Sequence, residues 1–381
     1  MPNRTDSADA REPGCAGEEG DDVHPASERT PSVLVVTDFT RNLSKIERHV
    51  QPLAETADVT VVCITGDESL PGIDYRTVPS FGVRPLGLAL MLVAALYEAW
   101  RGEYDAVASF SLLPHGCIAL AVGTVFGLPT HLGIIGIDLD VHARAPRYGA
   151  AVRWLIRRFD AVSVPGTTFE DRLVGMGVPR ERVEVLANPI DVDAYYPNPE
   201  VDPEYDLVWV GRFNEEKDPE LFVAALAELR ERGDEVDAVM LGDGPLERAV
   251  EARVRADGLE DSVELAGWVD DPLSYYWRSR AFVLTSERDA LPLTLVEAMA
   301  TGLGCVVPAV GNVPDVARDG ETALVLDDLT PETLADALER LLRDDDLAAR
   351  LGENAAAVAD RYSYEAATED WSRILETLGV R

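Results

Sequence analysis

The sequence predicts an α/β protein with two doubly wound parallel sheets that face each other across a cleft. Short β-branched runs alternate with longer amphipathic segments over residues 32–186, and the same alternation restarts at residue 206. Strands that alternate regularly with helices are typical of βαβ units and of a parallel sheet. The 381 residues are enough for two domains. A ligand is therefore expected outside the carboxyl ends of the strands, between the domains.

Four segments are predicted along the chain. Residues 1–30 have the Asp-, Glu-, Gly-, Ser- and Pro-rich composition of a disordered acidic tail. A first domain is predicted over residues 31–195 and a second over residues 205–362, with a linker rich in Pro and Asp between them. Residues 363–381 contain a final helix.

Within each domain, β-branched runs predict strands and periodic apolar segments predict helices. In the first domain the predicted strands are residues 32–37, 59–64, 106–110, 130–135, 161–164 and 183–186, and the predicted helices are residues 43–56, 86–101, 116–126, 147–158 and 168–176. In the second domain the strands are residues 206–210, 237–241, 263–265, 281–285, 304–308 and 323–326, and the helices are residues 219–232, 246–257, 272–278, 293–301, 313–318, 331–343 and 347–361. The final helix is predicted at residues 364–378.

The charge of the chain excludes one class of partner. The 69 acidic and 34 basic residues give a net charge of −35, which argues against binding to nucleic acid. Lys45 and Lys217 are the only lysines, and this acidic, arginine-rich composition resembles that of cytosolic proteins from halophiles. The acidic excess is uneven, because residues 31–190 carry −3 and residues 191–381 carry −27.

The sequence also predicts where the protein is found. Its first residues are acidic and poor in apolar side chains, so no signal peptide is expected. The apolar run at residues 86–100 is shorter than the ~20 residues that span a bilayer. We therefore expect a cytoplasmic protein, with this run as a buried or surface-docking helix.

The first candidate site follows the first strand of the second domain. Gly211 and Arg212 come at the end of that strand, and Lys217 follows five residues later. A glycine at a strand end lets a ligand approach the backbone, while an Arg fork and a Lys point charge suit a diphosphate. One of only two lysines stands here, which favours a requirement for an ammonium group.

Glycine turns follow the next two predicted strands. Gly242 and Gly244 come after one strand, and Gly267 and Trp268 come after the other. In a parallel sheet these turns would line the same edge. Gly242, Gly244 and Trp268 are therefore candidates for contact with a nucleotide.

Residues 285–302 are the most informative stretch, with a strand, a short loop and a helix that starts near a proline. The free backbone amides of Leu293 and Thr294 would face the cleft, where the helix dipole favours anions. Asp289 precedes the helix, and Glu297 lies inside it among apolar neighbours that predict a partly buried carboxylate. We interpret the two carboxylates as ligands of a sugar and of ribose hydroxyls.

Together these residues resemble the nucleotide-binding half of the retaining glycosyltransferases of GT-B architecture, family four (glycosyl transferases group one). The similarity extends over about residues 32–378 and is most specific in residues 205–325. In the second domain the matching residues are Gly211, Arg212 and Lys217; Gly242 to Pro245; Gly267 and Trp268; Asp289; Glu297 to Gly302; Gly311 to Asp315; and Asp319 to Thr322. In the first domain they are Ile46 to Val50 and Leu186 to Asp191.

The resemblance implies two Rossmann-like domains, the first for the acceptor and the second for a nucleotide sugar, with the final helix crossing back to the first domain. It implies that Arg212 and Lys217 hold the donor diphosphate, that Glu297 binds the ribose and that Asp289 touches the sugar. It also implies a donor that is a nucleoside diphosphate sugar and an acceptor that is a glycan or a lipid-linked group. No metal or further cofactor is expected, because cationic side chains and helix amides neutralise the leaving diphosphate.

The sequence departs from the family at three positions. Asp289 stands where the first of two signature glutamates is usual, and it is one methylene shorter. Lys45 lies in the loop that usually carries paired glycines, so it is predicted to contact phosphate or an acidic acceptor. A His that often precedes a Gly-x-Asp segment is absent, although Asp138 remains as a candidate catalytic residue. His131, earlier in the same strand, is interpreted as a core histidine.

An Asp-x-Asp pattern at Asp138 and Asp140 is of the kind that metal-dependent glycosyltransferases use. It lies in the wrong half of the chain for that architecture, and no two of the four cysteines have metal spacing. The prediction is therefore that no metal is used.

An arginine-rich segment at residues 142–158 contains no acid and is interleaved with apolar residues. It is either a solvated helix face or a patch for an anionic membrane surface or a phosphate-bearing lipid acceptor. The second interpretation predicts peripheral contact with the inner membrane face through Arg144, Arg147, Arg153, Arg157 and Arg158.

The sequence therefore predicts transfer of a sugar from a nucleoside diphosphate sugar to an acceptor hydroxyl, with retention of configuration. Two alternatives stay open at this point. One is a sugar-nucleotide epimerase or a phosphorylase of the same architecture. The other is a non-catalytic protein that binds a sugar nucleotide as a partner of another transferase.

Overall fold

The computed structural model describes residues 29–38, 43–64 and 69–380. The predicted acidic tail therefore lies outside the described residues, apart from its last two positions. The elements of the first half are β1 (Ser32–Val36), α1 (Leu43–Ala54), β2 (Asp58–Ile64), β3 (Ile73–Val78), α2 (Arg84–Arg101), β4 (Ala106–Phe110), α3 (Cys117–Phe126), β5 (Thr130–Gly133), α4 (Gly149–Ile156), β6 (Ala161–Val164), α5 (Thr167–Gly175) and β7 (Val183–Val185).

The second half repeats the alternation of strands and helices. Its elements are β8 (Tyr205–Val210), α6 (Pro219–Glu231), β9 (Ala238–Leu241), α7 (Glu247–Ala256), β10 (Val263–Gly267), α8 (Leu273–Trp277), β11 (Ser279–Val283), α9 (Leu293–Ala300), β12 (Gly304–Pro308), α10 (Val313–Val316), β13 (Leu324–Leu326), α11 (Pro331–Arg343), α12 (Asp345–Ala359) and α13 (Tyr364–Thr377). Local capping fixes several helix starts, as where the Asp218 side chain accepts from the backbone N–H of Leu221 at the start of α6.

Both sheets are parallel and doubly wound. The first has the order β3-β2-β1-β4-β5-β6-β7, and the second has the order β10-β9-β8-β11-β12-β13. In each sheet the strand order reverses beside the first strand, between β1 and β4 and between β8 and β11. Such a reversal opens a crevice at the carboxyl ends of the strands, where ligands bind in folds of this kind. The predicted fold class, α/β with two Rossmann-like domains, is confirmed.

Several element predictions need correction, since α1, β5, β11 and α10 each end two residues before the predicted end. Strand β3 was not predicted, because its alternating sequence buries only Ile73 and Val78 and it forms the edge of the sheet. The helix predicted at residues 147–158 is shorter, since α4 starts after Tyr148 and ends at Ile156.

The helices of the first half cover both faces of its sheet. Val33 and Val35 of β1 pack on α1 and α13, while Leu34 and Val36 pack on α2 and α3. Strand register places Leu34, Val107, Leu132 and Val162 on the same face of the sheet. The last two belong to the core that α4 and α5 cover, so α2, α3, α4 and α5 all lie on one side.

The chain passes between the two halves twice, once between β7 and β8 and once before α13. The two passing segments are joined by a hydrogen bond of 2.8 Å from the backbone N–H of Ile190 to the carbonyl of Tyr362. Helix α13 packs against α1, β6 and β7 of the first sheet. There Trp371 Nε1 donates to the carbonyl of His49 at 3.2 Å, and Asp370 accepts from the backbone N–H of Ala187 at 2.7 Å.

A third connection ties α5 of the first half to α10 of the second. Asp315 accepts hydrogen bonds from the backbone N–H and the hydroxyl of Thr167, both at 2.6 Å. Asn312 Oδ1 accepts from the backbone N–H of Phe169 at 3.0 Å. Both side chains therefore accept hydrogen bonds from backbone N–H groups in the first turn of α5, which have no acceptor within the helix. In the part of the chain that the structure describes, no helix meets the length and hydropathy needed to cross a bilayer.

Candidate functional site

The carboxyl edges of the two sheets meet at a cavity of about 200 Å³. The ends of β4, β5, β6 and β7 form its first-domain wall, and residues 289–291 form the opposite wall. Lys45, near the start of α1, and Asp289 both line it. Two residues that the sequence predicted independently are therefore on the same cavity, although they are 244 positions apart in the chain.

Lys217 and Asp289 form an ion pair at this edge of the second sheet. Their side chains are 22% and 15% exposed, so the pair is largely shielded from water. The Thr285 hydroxyl donates to the carbonyl of Lys217 at 2.7 Å and accepts from Trp209 Nε1 at 2.8 Å. The loop that carries Lys217 is thus fixed to the end of β11, next to the loop that carries Asp289.

The same pair lines a second cavity, of about 220 Å³, whose other wall is the first-domain loop from Ile135 to Val141. Gly136 approaches the second domain closely here, since a Cβ built on it would lie 3.1 Å from the Cβ of Ala290. The Lys217–Asp289 pair therefore lies between the domains rather than on an outer surface.

Arg212 stands two residues after the end of β8 and is exposed. No hydrogen bond or ion pair joins its guanidinium to another residue of the described part of the chain. Gly211, before it, donates its backbone N–H to the carbonyl of Leu241 at 3.0 Å. That bond holds the turn after β8 against the end of β9, so Arg212 projects from the carboxyl edge of the sheet with free donors.

The glycines of this edge have a packing role. Gly242 has φ of +131°, and a Cβ on it would lie 1.9 Å from the carbonyl oxygen of Gly211. Gly244 has φ of +152°, and a Cβ on it would lie 2.5 Å from the carbonyl oxygen of Phe213. The group that approaches Gly242 and Gly244 closely is thus the loop after β8. A side chain at either glycine would collide with that loop. Their contact with a nucleotide stays a prediction.

Trp268 follows β10 at the same edge and is 65% exposed. Its Nε1 donates to Asp270 at 3.3 Å. A large aromatic surface is therefore open to solvent at the end of this strand, as the prediction of a nucleotide contact requires.

Helix α9 begins at Leu293, and Pro292 is the residue before it, with extended backbone. This start agrees with the helix predicted at residues 293–301. Its first backbone bond runs from the N–H of Leu295 to the carbonyl of Pro292 at 3.2 Å. The N–H groups of Leu293 and Thr294 therefore have no partner within the helix, as expected for a first turn.

Glu297 lies deep in α9 and is 7% exposed. The hydroxyl of Tyr276, which is fully buried, is within hydrogen-bond distance of two acceptors, Glu297 Oε2 at 3.3 Å and the carbonyl of Thr294 at 3.2 Å. Burial raises the pKa of Glu297, and the positive charge of Arg48 on α1 opposes that rise. Glu297 is thus a buried carboxylate with a partner, as predicted. Its contact with ribose stays a prediction.

Tyr276 and Arg48 were not identified as site residues from the sequence. Arg48 belongs to the segment after β1 that carries Lys45, and its charge alone did not indicate a partner. Tyr276 stands 21 residues before Glu297 on another helix. Only the folded chain shows that Tyr276 contacts Glu297 and that the charge of Arg48, from the other domain, acts on this carboxylate.

Asp138 is fully buried in the first domain and lines neither cleft cavity. Its Oδ1 accepts from the backbone N–H of Leu112 at 3.0 Å and from the Ser111 hydroxyl at 3.4 Å. Its Oδ2 is buried and has no hydrogen-bond partner among the described residues. Burial raises the pKa of this carboxyl group. The geometry therefore gives Asp138 a role in holding the turn after β4, apart from the Lys217–Asp289 pair.

The Asp-x-Asp pattern does not bring two carboxylates together on one ligand. Asp140 is ion-paired with Arg172 at 2.8 Å, while Asp138 faces the turn after β4. Among residues 29–38, 43–64 and 69–380 no group of three or more His, Cys, Asp or Glu side chains is arranged to hold a metal ion. His131 is a core histidine as predicted, fully buried with its Nε2 at 2.9 Å from the Ser163 hydroxyl.

The arginine-rich segment is exposed at four of its five predicted positions. Arg144, Arg147, Arg157 and Arg158 are exposed. Arg153 is a correction, because it is half-buried and donates to the carbonyl of Ala143. Its guanidinium connects α4 to the preceding turn and is not a surface cation.

A further cavity, of about 550 Å³, lies at the opposite edge of the second sheet. It is lined by the segment from Pro197 to Pro203 and by the start of β11. Its charged lining residues, Arg280 and Asp345, are already paired with each other at 2.9 Å. This cavity is therefore separate from the carboxyl edge, where Lys217 and Asp289 lie.

Both halves of the chain match known family models. Residues 197–358 match the family described as glycosyl transferases group 1, and residues 46–189 match the glycosyl transferase 4-like domain.

Curated proteins with similar sequences include an alpha-D-kanosaminyltransferase of Streptomyces kanamyceticus, 33% identical over 46% of this chain and 46% of that protein. Another is an N-acetyl-alpha-D-glucosaminyl L-malate synthase of Bacillus anthracis, 26% identical over 70% of this chain and 73% of that protein. The match thus spans less than half the length of the first relative.

Solved structures with the same fold include HepE of Anabaena in complex with UDP and glucose, with a TM-score of 0.74 and 17% identity. The alignment covers 91% of this chain and 99% of HepE. Sucrose-phosphate synthase of Thermosynechococcus elongatus also has a TM-score of 0.74, with 18% identity over 92% of this chain and 99% of that protein. At these identities the likeness shows the fold.

Proposed function

The chain belongs to the glycosyltransferases, with a group 1 domain in its second half and a 4-like domain in its first, and from this premise we propose that it transfers a sugar from a nucleoside diphosphate sugar to an acceptor hydroxyl. The donor binds the second domain and the acceptor binds the first. The reaction retains configuration and needs no metal ion.

The Lys217–Asp289 pair is the observation that carries this proposal. An ammonium and a carboxylate lie at the carboxyl edge of the second sheet, between the domains. A donor diphosphate attracts the ammonium of Lys217, because it carries more negative charge than one carboxylate. Asp289 is then free to accept a hydrogen bond from a sugar hydroxyl. One pair of residues thus supplies both donor contacts.

Further positive charge is available where the diphosphate departs. Arg212 presents free guanidinium donors at the same edge, and the first turn of α9 presents unpaired amides. Such pre-positioned donors stabilise the charge that develops on a leaving group. These side-chain and backbone donors would stabilise the negative charge that a divalent cation stabilises in other transferases. They therefore support the metal-independent form of the proposal.

The acceptor site proposed here is the 200 Å³ cavity between the domains. Lys45 lines it from the first domain and faces the wall that contains Asp289. A cation there suits an acceptor that carries a phosphate or carboxylate near its reactive hydroxyl. A lipid-linked or glycan acceptor with such a group fits this position.

Arg212→Ala and Lys217→Ala test the assignment of the second domain. Each change should lower the turnover for sugar transfer by about 100-fold, the typical loss for one donor to a developing charge. Arg255→Ala is the matched control, because Arg255 is exposed on α7 and paired with Glu251 outside the cleft. Near-normal transfer by both cleft variants would overturn the proposal.

The product distinguishes transfer from the alternative reactions. Purified protein is incubated with candidate donors in the presence and absence of acceptor, and the products are resolved by mass spectrometry and NMR. A transferase consumes the donor and glycosylates the acceptor. Conversion of the donor sugar without acceptor would instead identify an epimerase, and nucleotide binding without turnover would identify a non-catalytic binding protein.

A further inference from the structure

Most exposed apolar side chains of this protein belong to one stretch of its sequence. Within the described residues, 14 large apolar or aromatic side chains are exposed, and 12 of them lie between Phe81 and Trp154. Two of these 12, Ile137 and Val141, line the cavity between the domains. The other two, Tyr196 and Trp268, are far apart in the second half. Single exposed apolar residues are ordinary on any protein surface, but a concentration of this kind indicates a contact surface.

Helix α2 carries the main part of this region. Leu86, Val93, Tyr97 and Trp100 are exposed by 42%, 61%, 49% and 72%. Their spacings of seven, four and three residues place all four on one face of the helix. This face runs for about 21 Å at the usual rise of an α-helix. It is the side of α2 that points away from the sheet, because Met91 and Ala95 of the same helix are buried in the core.

Helices α3 and α4 extend the exposed apolar region, since they lie on the same side of the sheet as α2. Val125 at the end of α3 is 65% exposed, and Trp154 on α4 is 49% exposed. The guanidinium of Arg158 lies 4.4 Å from the centre of the Trp154 ring. We name the exposed surface of α2, α3 and α4, with the turns that precede α2 and α4, the apolar basic face.

The charge of the apolar basic face is positive in a chain that is strongly negative. Its acidic residues are withdrawn from solvent, because Glu98 is 9% exposed and pairs with Arg76, and Asp138 is fully buried. Asp140 pairs with Arg172. Its exposed basic residues are Arg84, Arg101, Arg144, Arg147, Arg157 and Arg158.

We propose that the apolar basic face docks the protein on the surface of an anionic lipid bilayer. Aromatic and aliphatic side chains above a basic rim are the composition of a surface that lies in the headgroup region of a membrane. The arginines attract anionic headgroups, and the apolar side chains enter the acyl boundary. The acidic second half does not prevent this, because its charges act over only about 10 Å at moderate salt.

A second copy of the chain fits the same face less well. A symmetric dimer contact places the same patch on both partners, so the arginines of one copy would face those of the other. A bilayer of anionic lipids satisfies both the apolar and the basic side chains. Docking also places the cleft near the lipid, because Phe81 follows the carboxyl end of β3 and begins the face at the cleft edge.

Vesicle flotation with the full chain tests this proposal without any sugar donor, so its outcome is separate from that of the proposed reaction. The vesicles contain phosphatidylcholine alone or an equal mixture with phosphatidylglycerol. The wild-type protein should float with the mixed vesicles. Joint change of Tyr97→Ser and Trp100→Ser should reduce its partition coefficient by about tenfold or more.

A second pair of changes, Arg157→Gln and Arg158→Gln, should reduce binding by about 30-fold, from the typical contribution of one basic residue at an anionic surface. The matched controls are Tyr196→Ser and Arg340→Gln, which remove an exposed aromatic and an exposed arginine of the second half. Both controls should float like the wild type.

Three outcomes would overturn the proposal. The first is a wild-type protein that stays with the unbound fraction at all lipid compositions. The second is equal binding by the wild type and by both pairs of variants. The third is a dimer, seen by light scattering without lipid, that the Tyr97 and Trp100 changes convert to a monomer, since a second copy would then occupy the face.

Discussion

Replacement of Asp289 by Asn should strengthen nucleotide binding while it weakens sugar transfer. In the unliganded protein Asp289 holds the ammonium of Lys217, and both side chains are largely shielded from water. The change keeps the size of the side chain and removes its charge. Lys217 then loses the carboxylate that competes with a donor diphosphate.

The size of the gain follows from the ion pair that the nucleotide no longer has to break. A hydrogen bond between charged groups contributes about 1.5–3 kcal/mol, and partial exposure at 22% and 15% reduces that value through solvent screening. A remaining difference of about 1–2 kcal/mol corresponds to roughly 5–30-fold tighter binding. Turnover should fall by about 100-fold, because the sugar hydroxyl loses a charged acceptor.

Isothermal titration with UDP, GDP and ADP measures the affinity, and transfer assays measure the turnover. Asp289→Glu is the control, since it keeps the charge and should keep both the pair and the activity. The expected result for Asp289→Asn is that nucleotide affinity rises while turnover falls. Weaker nucleotide binding by Asp289→Asn would refute the competition between Asp289 and the diphosphate, and unchanged turnover would refute the contact with the sugar.

Three further predictions concern the stability of the protein. Burial raises the pKa of Glu297 in the folded state above its unfolded value near 4.5. The contribution of this carboxyl group to the free energy of unfolding is therefore most favourable below pH 4.5, and it is lost as pH rises through the folded pKa. Glu297→Gln should therefore raise Tm at pH 7, and this gain should shrink toward pH 4.5; a gain that is equal at both pH values would contradict it. Gly242→Ala should lower the free energy of unfolding by about 2–4 kcal/mol, because the new Cβ meets the backbone of Gly211, whereas Gly233→Ala, with φ of +92° and open space, should cost only about 1 kcal/mol in denaturant titrations. Trp371→Ala should cost about 3–5 kcal/mol, since Trp371 is 1% exposed, and hydrogen exchange should show the loss in α1 and β6; protection that falls only in the second half would argue against this.

The repeated alternation of strands and helices made the fold predictable, because a parallel sheet with covered faces requires apolar strands. The exception was β3, which lies at the sheet edge and has exposed positions that conceal its apolar pattern. The predicted end of α4 was wrong, because Arg157 and Arg158 continue the composition of the helix while the helix itself ends at Ile156.

The site was only partly predictable, and the reason is that it is assembled from both domains. Lys217, Asp289 and Arg212 could be identified because strand ends and their following loops share one edge of a sheet. The contact of Lys217 with Asp289, and of Glu297 with Tyr276, depends on side-chain packing that no local pattern contains. Gly242 was identified for its backbone freedom, but its neighbour proved to be another loop.

The hydrogen bond between Ile190 and Tyr362 restricts how this protein can open and shut. The two segments that connect the halves are joined by that bond, so the two sheets share a pivot there. Separation of the sheets along a straight line would stretch both segments, whereas rotation about the pivot leaves them intact. Opening of the cleft is therefore expected to proceed as a rotation about this bond, and the hydrogen bonds from α5 to Asp315 and Asn312 have to break or move with it.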